Sequence, residues 1–248
     1  MNMEWGLKSW LVRAIFHYLR LWDLQAVNRV DKIIANSNFI ARRIEKIYRR
    51  PAQVIYPPID IARFSLSHTR QDYYLVVSRL VQYKKVDVIV KAFAQMPDKK
   101  LVVIGGGPDL KKIEAERTAN ITLLGYQPIE VVVQKMQAAR ALIMASQEDF
   151  GIVPVEAQAC GTPVIAFGRG GARETVLDLS SEKPTGLFFE EQTPEAICRA
   201  VARFDEKRAI FTPENCRQNA SRFSNDLFLE QFSTAVEKAW QDFRTKQF

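Results

Sequence analysis

Cysteine is scarce in this chain, with three residues in 248, at positions 160, 198 and 216, and none in a Cys-x-x-Cys pair. An odd number without metal-ligand spacing argues against a disulfide framework and points to reduced thiols in a cytosolic setting. Long apolar runs are missing too. No stretch of 18 apolar residues occurs, so no membrane-spanning helix is expected. A cleavable signal peptide is not expected either, because Lys8, Arg13 and Arg20 interrupt the N-terminal apolar residues. Without secretion, the sequons Asn120-Ile121-Thr122 and Asn219-Ala220-Ser221 carry no weight.

What remains is an ordinary globular composition, 47% hydrophobic and 25% charged, enough to build a full core in one or two domains. The net charge of +7 is uneven: residues 1–50 hold ten Lys and Arg against four Asp and Glu, and the other 198 residues hold 25 against 24. A surplus confined to one end is a local patch, and argues against a nucleic-acid binder.

The chain is organised around Glu148-Asp149-Phe150-Gly151-Ile152-Val153-Pro154-Val155-Glu156. The apolar run Ala141 to Ala145 before it reads as a buried strand. Pro154 suits the first turn of a helix and Gly161 its C-terminal cap. In an open α/β sheet the loop between them lies at the carboxyl end of the strand, where ligands bind. The N–H groups of Phe150, Gly151 and Ile152 are then placed for an anion. Glu148 and Glu156 would repel a bare phosphate but suit the hydroxyls of a sugar attached to one. On the residues alone the plainer reading also stands: Glu156 complements the helix dipole and Glu148 is a solvated loop acid.

In chain order, Trp5 to Trp22 carries apolar residues at helical spacing with Lys8, Arg13, His17 and Arg20 among them. This is either a helix packed on a core or one lying in a membrane interface. Val30 to Ala35 reads as a buried strand and Ser37 as the N-cap of a helix to Tyr48. Arg42, Arg43, Lys46, Arg49 and Arg50 on it form a solvated face, or meet an acidic membrane surface or anionic acceptor. Val54 to Tyr56 is a short strand closed by Pro57-Pro58. From Tyr73 strands alternate with helices: strands at 74–77, 101–104, 121–124, 141–145, 164–167 and 187–189, helices at 86–95, from 109, 129–138, from 172 and 194–204. That alternation predicts a doubly wound parallel α/β sheet. A long amphipathic helix, 225–243, closes the chain.

Three further stretches belong with the acidic pair. Arg79 and Lys84, in Ser78-Arg79-Leu80-Val81-Gln82-Tyr83-Lys84, follow the first strand, where two cations can clamp a diphosphate. Gly105, Gly106 and Gly107 permit close backbone approach to a ligand. Gly168-Arg169-Gly170-Gly171 does the same beside Glu174. Each alone is ambiguous, a turn or a solvated charge. With Val54-Ile55-Tyr56-Pro57-Pro58-Ile59-Asp60, Val103 to Pro108, the Glu148-x7-Glu156 spacing, Ala159-Cys160-Gly161-Thr162-Pro163-Val164-Ile165-Ala166 and Thr185-Gly186-Leu187, however, residues 54–190 resemble the nucleotide-binding half of the retaining glycosyltransferases of family 4, which have the two-domain GT-B architecture. Residues 19–64, with Arg20-Leu21-Trp22-Asp23 and Ala35-Asn36-Ser37, look most like the O-antigen-type mannosyltransferases of that family.

The resemblance implies a C-terminal Rossmann-like domain at 65–224, a linker at 58–64, a remnant of the N-terminal acceptor-side domain at 1–57, and a final helix, 225–248, crossing back to the N-terminal side. It implies that Arg79 and Lys84 neutralise the departing diphosphate, and that Glu148 and the N–H groups of Phe150, Gly151 and Ile152 hold the hexose. Glu156 would accept from the ribose, with Gly105, Gly106, Gly107 and Gly170 also at the donor. Attack on the face the leaving group departs needs no protein nucleophile. With no Asp-x-Asp in the sequence, neither a metal nor another cofactor is expected. The implied substrates are a nucleotide sugar, GDP-mannose favoured, and a polysaccharide or lipid-linked glycan acceptor. The family's first domain exceeds 100 residues, whereas about 57 precede the junction here. The chain alone is therefore expected to bind donor and to transfer weakly or not at all, unless a partner chain supplies the missing domain. If the first helix does not pack on a core, residues 1–50 offer a peripheral contact with the inner face of the plasma membrane. The alternatives are a non-catalytic nucleotide-sugar-binding subunit and a UDP-sugar-dependent transferase.

Overall fold

The computed structural model describes residues 7–246; Trp5 lies outside them. The N-terminal segment comprises α1 (Leu7–Ala26), β1 (Ile34–Ala35), α2 (Asn38–Tyr48) and β2 (Gln53–Val54). The two short strands pair in parallel, Ile34 with Gln53 and Ala35 with Val54. α2 begins where the sequence predicts, with the Ser37 hydroxyl accepting from Ile40 N–H at 3.1 Å. The strand expected over 30–35 shrinks to two residues because it has a single partner, and Val30 and Ile34 remain exposed.

The second unit runs β3 (Tyr74–Val77), α3 (Val86–Ala94), β4 (Leu101–Ile104), α4 (Leu110–Ala115), β5 (Ile121–Gly125), α5 (Ile129–Ala138), β6 (Leu142–Met144), α6 (Ile152–Ala159), β7 (Val164–Phe167), α7 (Ala172–Thr175), β8 (Gly186–Phe189), α8 (Pro194–Glu206) and α9 (Pro213–Ala220). Its six strands are all parallel, in the order β5-β4-β3-β6-β7-β8. The chain enters at the middle, winds out to β5, then returns to lay β6 against the other side of β3. The doubly wound parallel sheet is thus as expected, and the reversal leaves a crevice between the carboxyl ends of β3 and β6.

Strand residues alternate between two cores, as a pleated strand requires. Tyr74, Val76, Val103 and Ile143 pack on one face with Ile89 and Phe93 of α3 and Ile197 and Phe204 of α8. Leu75, Leu142 and Val164 pack on the other with Met136, Val155 and Ala220. Burial of both faces explains why the strands carry no charge. The polar helix α9 was not anticipated. Thr212 caps it, its hydroxyl accepting from Asn215 N–H at 3.2 Å, with Pro213 at the first position.

Two crossovers tie the units together. The 58–64 segment is not bare chain: Ile59 and Phe64 are buried, and Ile59 N–H donates to Phe223 O at 2.7 Å. After Phe223, α10 (Asn225–Lys246) runs back alongside the N-terminal segment, where Lys32 Nζ lies 3.0 Å from Asp242 Oδ2. α1 is held at its C-terminal end, with Tyr48 Oη donating to Asp23 Oδ2 at 2.6 Å. Among the described residues, Trp10, Leu11, Ile15, Phe16, Tyr18, Leu19 and Trp22 are all exposed, so α1 does not pack on the core of this chain.

Candidate active site

A cavity of about 560 Å³ opens at the crevice between β3 and β6. Lys84 reaches it from the 3-10 turn Gln82–Lys84, whose sharp exit puts Lys85 in the left-handed region at φ 56°. Ser146, Glu148, Asp149, Phe150 and Gly151 line it from the loop after β6, Ile152 from the start of α6, and Asn36 and Pro57 from the N-terminal side. Lys84 Nζ donates to Glu148 Oε1 at 2.5 Å, and the Ser146 hydroxyl donates to the same oxygen. Both side chains of the ion pair are about four-fifths buried, at 21% and 18% exposed. Water screens this pair far less than a surface one, and two opposite charges stand ready in one crevice.

Glu148 is fixed from behind. Gly171 N–H donates to Glu148 O at 2.8 Å, and Gly170 bridges Glu148 as a strand would. Gly170 sits at φ +75°, and a Cβ there would stand 2.3 Å from Glu148 O, so only glycine fits. Gly151, at φ +92°, turns the chain into α6, whose first N–H groups face no earlier helical turn.

Not every residue anticipated for the site reaches it. Glu148, Lys84, Phe150, Gly151 and Ile152 line the cavity, and Gly170 backs it. Arg79 is exposed, does not line the cavity, and pairs with no acid among the described residues. Glu156 is half-buried on α6 outside the lining. Burial raises its carboxyl, with Arg63 offsetting part of that. Gly105 and Gly107 are required by packing: a Cβ would stand 1.8 Å from Ser78 O and 2.3 Å from Leu80 O respectively. Gly106 has open space around it. No group of three or more His, Cys, Asp or Glu able to hold a metal ion stands together among the described residues.

The roles of two residues escaped the sequence. Ser146, buried behind the ion pair, has no signature beyond following a strand. Glu174, on the single turn α7, collects donors from far away in the chain: Asn38 N–H at 2.8 Å, Asn38 Nδ2 at 2.8 Å, Phe39 N–H at 2.9 Å and Tyr56 Oη at 3.0 Å. Burial alone would push its carboxyl up; the Asn38 and Phe39 donors and the Tyr56 hydroxyl outweigh it and hold the group below the usual carboxylate range. The Tyr56 ring leans on Phe150 at 5.7 Å and Phe223 at 5.2 Å.

Residues 59–223 match the protein family described as glycosyl transferases, group 1. An uncharacterised glycosyltransferase of Methanocaldococcus jannaschii is 28% identical over 224 residues, covering 88% of this chain and 61% of that protein. A D-inositol 3-phosphate glycosyltransferase of Mycobacterium leprae is 33% identical over 181 residues, covering 63% and 42%. The chain thus spans about half the length of these curated relatives. Among solved structures, Anabaena HepE in complex with UDP and glucose superposes with a TM-score of 0.74 at 21% identity, over 88% of this chain and 66% of HepE. Sucrose-phosphate synthase of Thermosynechococcus elongatus gives 0.78 at 21% identity, over 90% and 62%. At that identity the two share the fold, the Rossmann-like half of a GT-B architecture.

Proposed function

The chain belongs to the glycosyl transferases of group 1, and from that premise we propose that it binds a nucleoside diphosphate sugar in the β3/β6 crevice and transfers the hexose to a hydroxyl acceptor. The observation that carries this reading is the Lys84–Glu148 pair at 2.5 Å, set in a cavity at the reversal of strand order. Lys84 meets the diphosphate as its charge grows in the transition state, where a preplaced cation lowers the barrier most. Glu148, turned to the sugar hydroxyls, and the N-terminus of α6 hold the hexose. Arg79 and Glu156, one exposed and one half-buried, serve the diphosphate and the ribose from outside the cavity. No protein nucleophile is assigned.

For the donor we propose mannose carried on GDP, with a polysaccharide or lipid-linked glycan as acceptor, on the strength of the mannosyltransferase-like motifs in residues 19–64. A UDP-sugar is the second reading, favoured by the likeness to HepE, which was solved with UDP and glucose. Calorimetry against GDP, UDP and ADP, each with and without its sugar, separates them. Tighter binding of GDP-mannose than of UDP-glucose supports the first, and the reverse order supports the second. No binding of any nucleotide sugar overturns both. Co-purification with a polypeptide that supplies the acceptor-side domain supports a non-catalytic donor-binding subunit instead.

A further inference from the structure

We propose that Glu174 is a positioning residue that locks α2 and Tyr56 onto the loop carrying Glu148, so that the N-terminal wall of the cavity and its sugar-binding carboxylate move as one body. Three independent contacts point there. First, the Glu174 carboxylate takes the first two N–H groups of α2, at Asn38 and Phe39, while Ser37 serves the third, at Ile40. The N-terminus of an 11-residue helix is therefore capped by an acid 136 positions away in sequence.

Second, the turn that carries Glu174 has no slack against the Glu148 loop. Glu174 N–H donates to Gly171 O at 2.9 Å, and Gly171 N–H donates to Glu148 O at 2.8 Å. A Cβ on Gly171 would stand 2.4 Å from Phe150 Cα, so the two backbones are in contact and one cannot shift without the other. Third, the parts held by Glu174 border the cavity. Asn36 and Pro57 in its lining flank the latched Asn38 and Tyr56, and Arg43 of α2 lies 3.7 Å from Asp149 at the rim. Releasing the carboxylate frees one wall and loosens the loop together. Its effect on ligand rests on the donor reading above; the mechanical link does not.

Backbone amide exchange on the full chain tests the link, for wild type, Glu174→Ala and Glu174→Gln. In Glu174→Ala, exchange is expected to quicken both at 38–40 and at 148–152. Titration with UDP-glucose, UDP, GDP-mannose and GDP tests the consequence. Affinity for the sugar nucleotide is expected to fall about tenfold, and that for the bare nucleotide to stay within about twofold. Glu174→Gln, which keeps one acceptor oxygen and the volume, is expected to recover part of the loss. Should Glu174→Ala fail to fold, Glu174→Gln and Tyr56→Phe carry the same comparison. Faster exchange confined to 38–40 makes Glu174 a helix cap and nothing more, and overturns the proposal. An equal fall for sugar nucleotide and nucleotide does the same. If wild type binds none of the four probes, the donor reading fails and the exchange at 148–152 alone decides the link.

Discussion

Lys84 Nζ and Glu148 Oε1 meet at 2.5 Å across the gap where the sheet reverses, joining the loop after β3 to the loop after β6. Each charge is the other's partner in the crevice, and under the proposed function a sugar diphosphate would offer both a replacement: phosphate for the ammonium, hydroxyls for the carboxylate. Under the proposed function, Lys84→Ala and Glu148→Ala are each expected to lower the transfer rate of the catalytically competent assembly by about 10²–10³-fold, the range for removing one preplaced electrostatic group. The double variant should fall well short of the product of the two, because the partners act as a unit. Steady-state rates of the three variants check this; strictly multiplicative losses would separate the two roles.

The glycines of the loop after β4 divide into two kinds. Gly105 sits at φ +135° with Ser78 O at 1.8 Å from where a Cβ would be, and Gly106 has nothing within 4 Å. Gly105→Ala is expected to cost about 3 kcal/mol or more, through backbone strain and a clash with main chain that cannot rotate away. Gly106→Ala should unfold within about 0.5 kcal/mol of wild type, as substitutions free of such features do. Thermal melts of the pair read this directly. If Gly106→Ala weakens donor binding while folding normally, Gly106 is the glycine of the three that faces ligand.

How much of this was legible in the sequence follows from how local each feature is. The sheet was legible because strands buried on both faces lose all charge, and the helices between them keep their stripe. Lys84 and Glu148 were legible because each follows a strand end within a few residues. Arg79 follows a strand end too, but the chain leaves β3 with Arg79 outward and Leu80 buried, an alternation that spacing alone does not fix. α9 was invisible because Pro-Glu-Asn-Cys-Arg-Gln-Asn-Ala has no apolar stripe. It is held by the buried Cys216 and Ala220 together with polar bonds, Asn219 Nδ2 donating to Gln158 Oε1 at 2.7 Å and to Thr175 O at 2.8 Å. The Glu174 contact with Asn38 spans 136 residues and obeys no local rule.

Glu156 offers a test in which stability and binding move oppositely. Burial raises its carboxyl in the folded chain, Arg63 offsetting part. A carboxyl that binds its proton more tightly folded than unfolded contributes stability at low pH, and that contribution is lost as pH rises from the unfolded value through the folded one. Glu156→Gln removes the loss. Its melting temperature is expected to exceed that of wild type near pH 7 and to match it near pH 3, where both states are protonated. Under the proposed function the same variant should bind the sugar nucleotide more weakly, since the ribose would lose a charged acceptor. A lower melting temperature at neutral pH would mean that Arg63 outweighs burial.

The N-terminal segment gives the last expectation. α1 exposes Trp10, Leu11, Phe16, Tyr18, Leu19 and Trp22, and the chain's positive surplus lies in residues 1–50, which include the basic residues of α2. No helix among the described residues is long and apolar enough to cross a membrane, so an attraction to lipid would act at the surface. There, aromatic side chains enter the headgroup layer, and each Lys or Arg near an anionic leaflet adds about 1 kcal/mol that salt screens away. Flotation with phosphatidylserine-containing vesicles is therefore expected at low salt and should drop sharply at about 0.5 M salt. Replacing Trp10 and Trp22 by Ser should abolish it without changing nucleotide affinity, because neither residue borders the cavity. Absence of flotation at low salt would assign the exposed face to a protein partner, and size measurements with increasing concentration would then show whether that partner is a second copy.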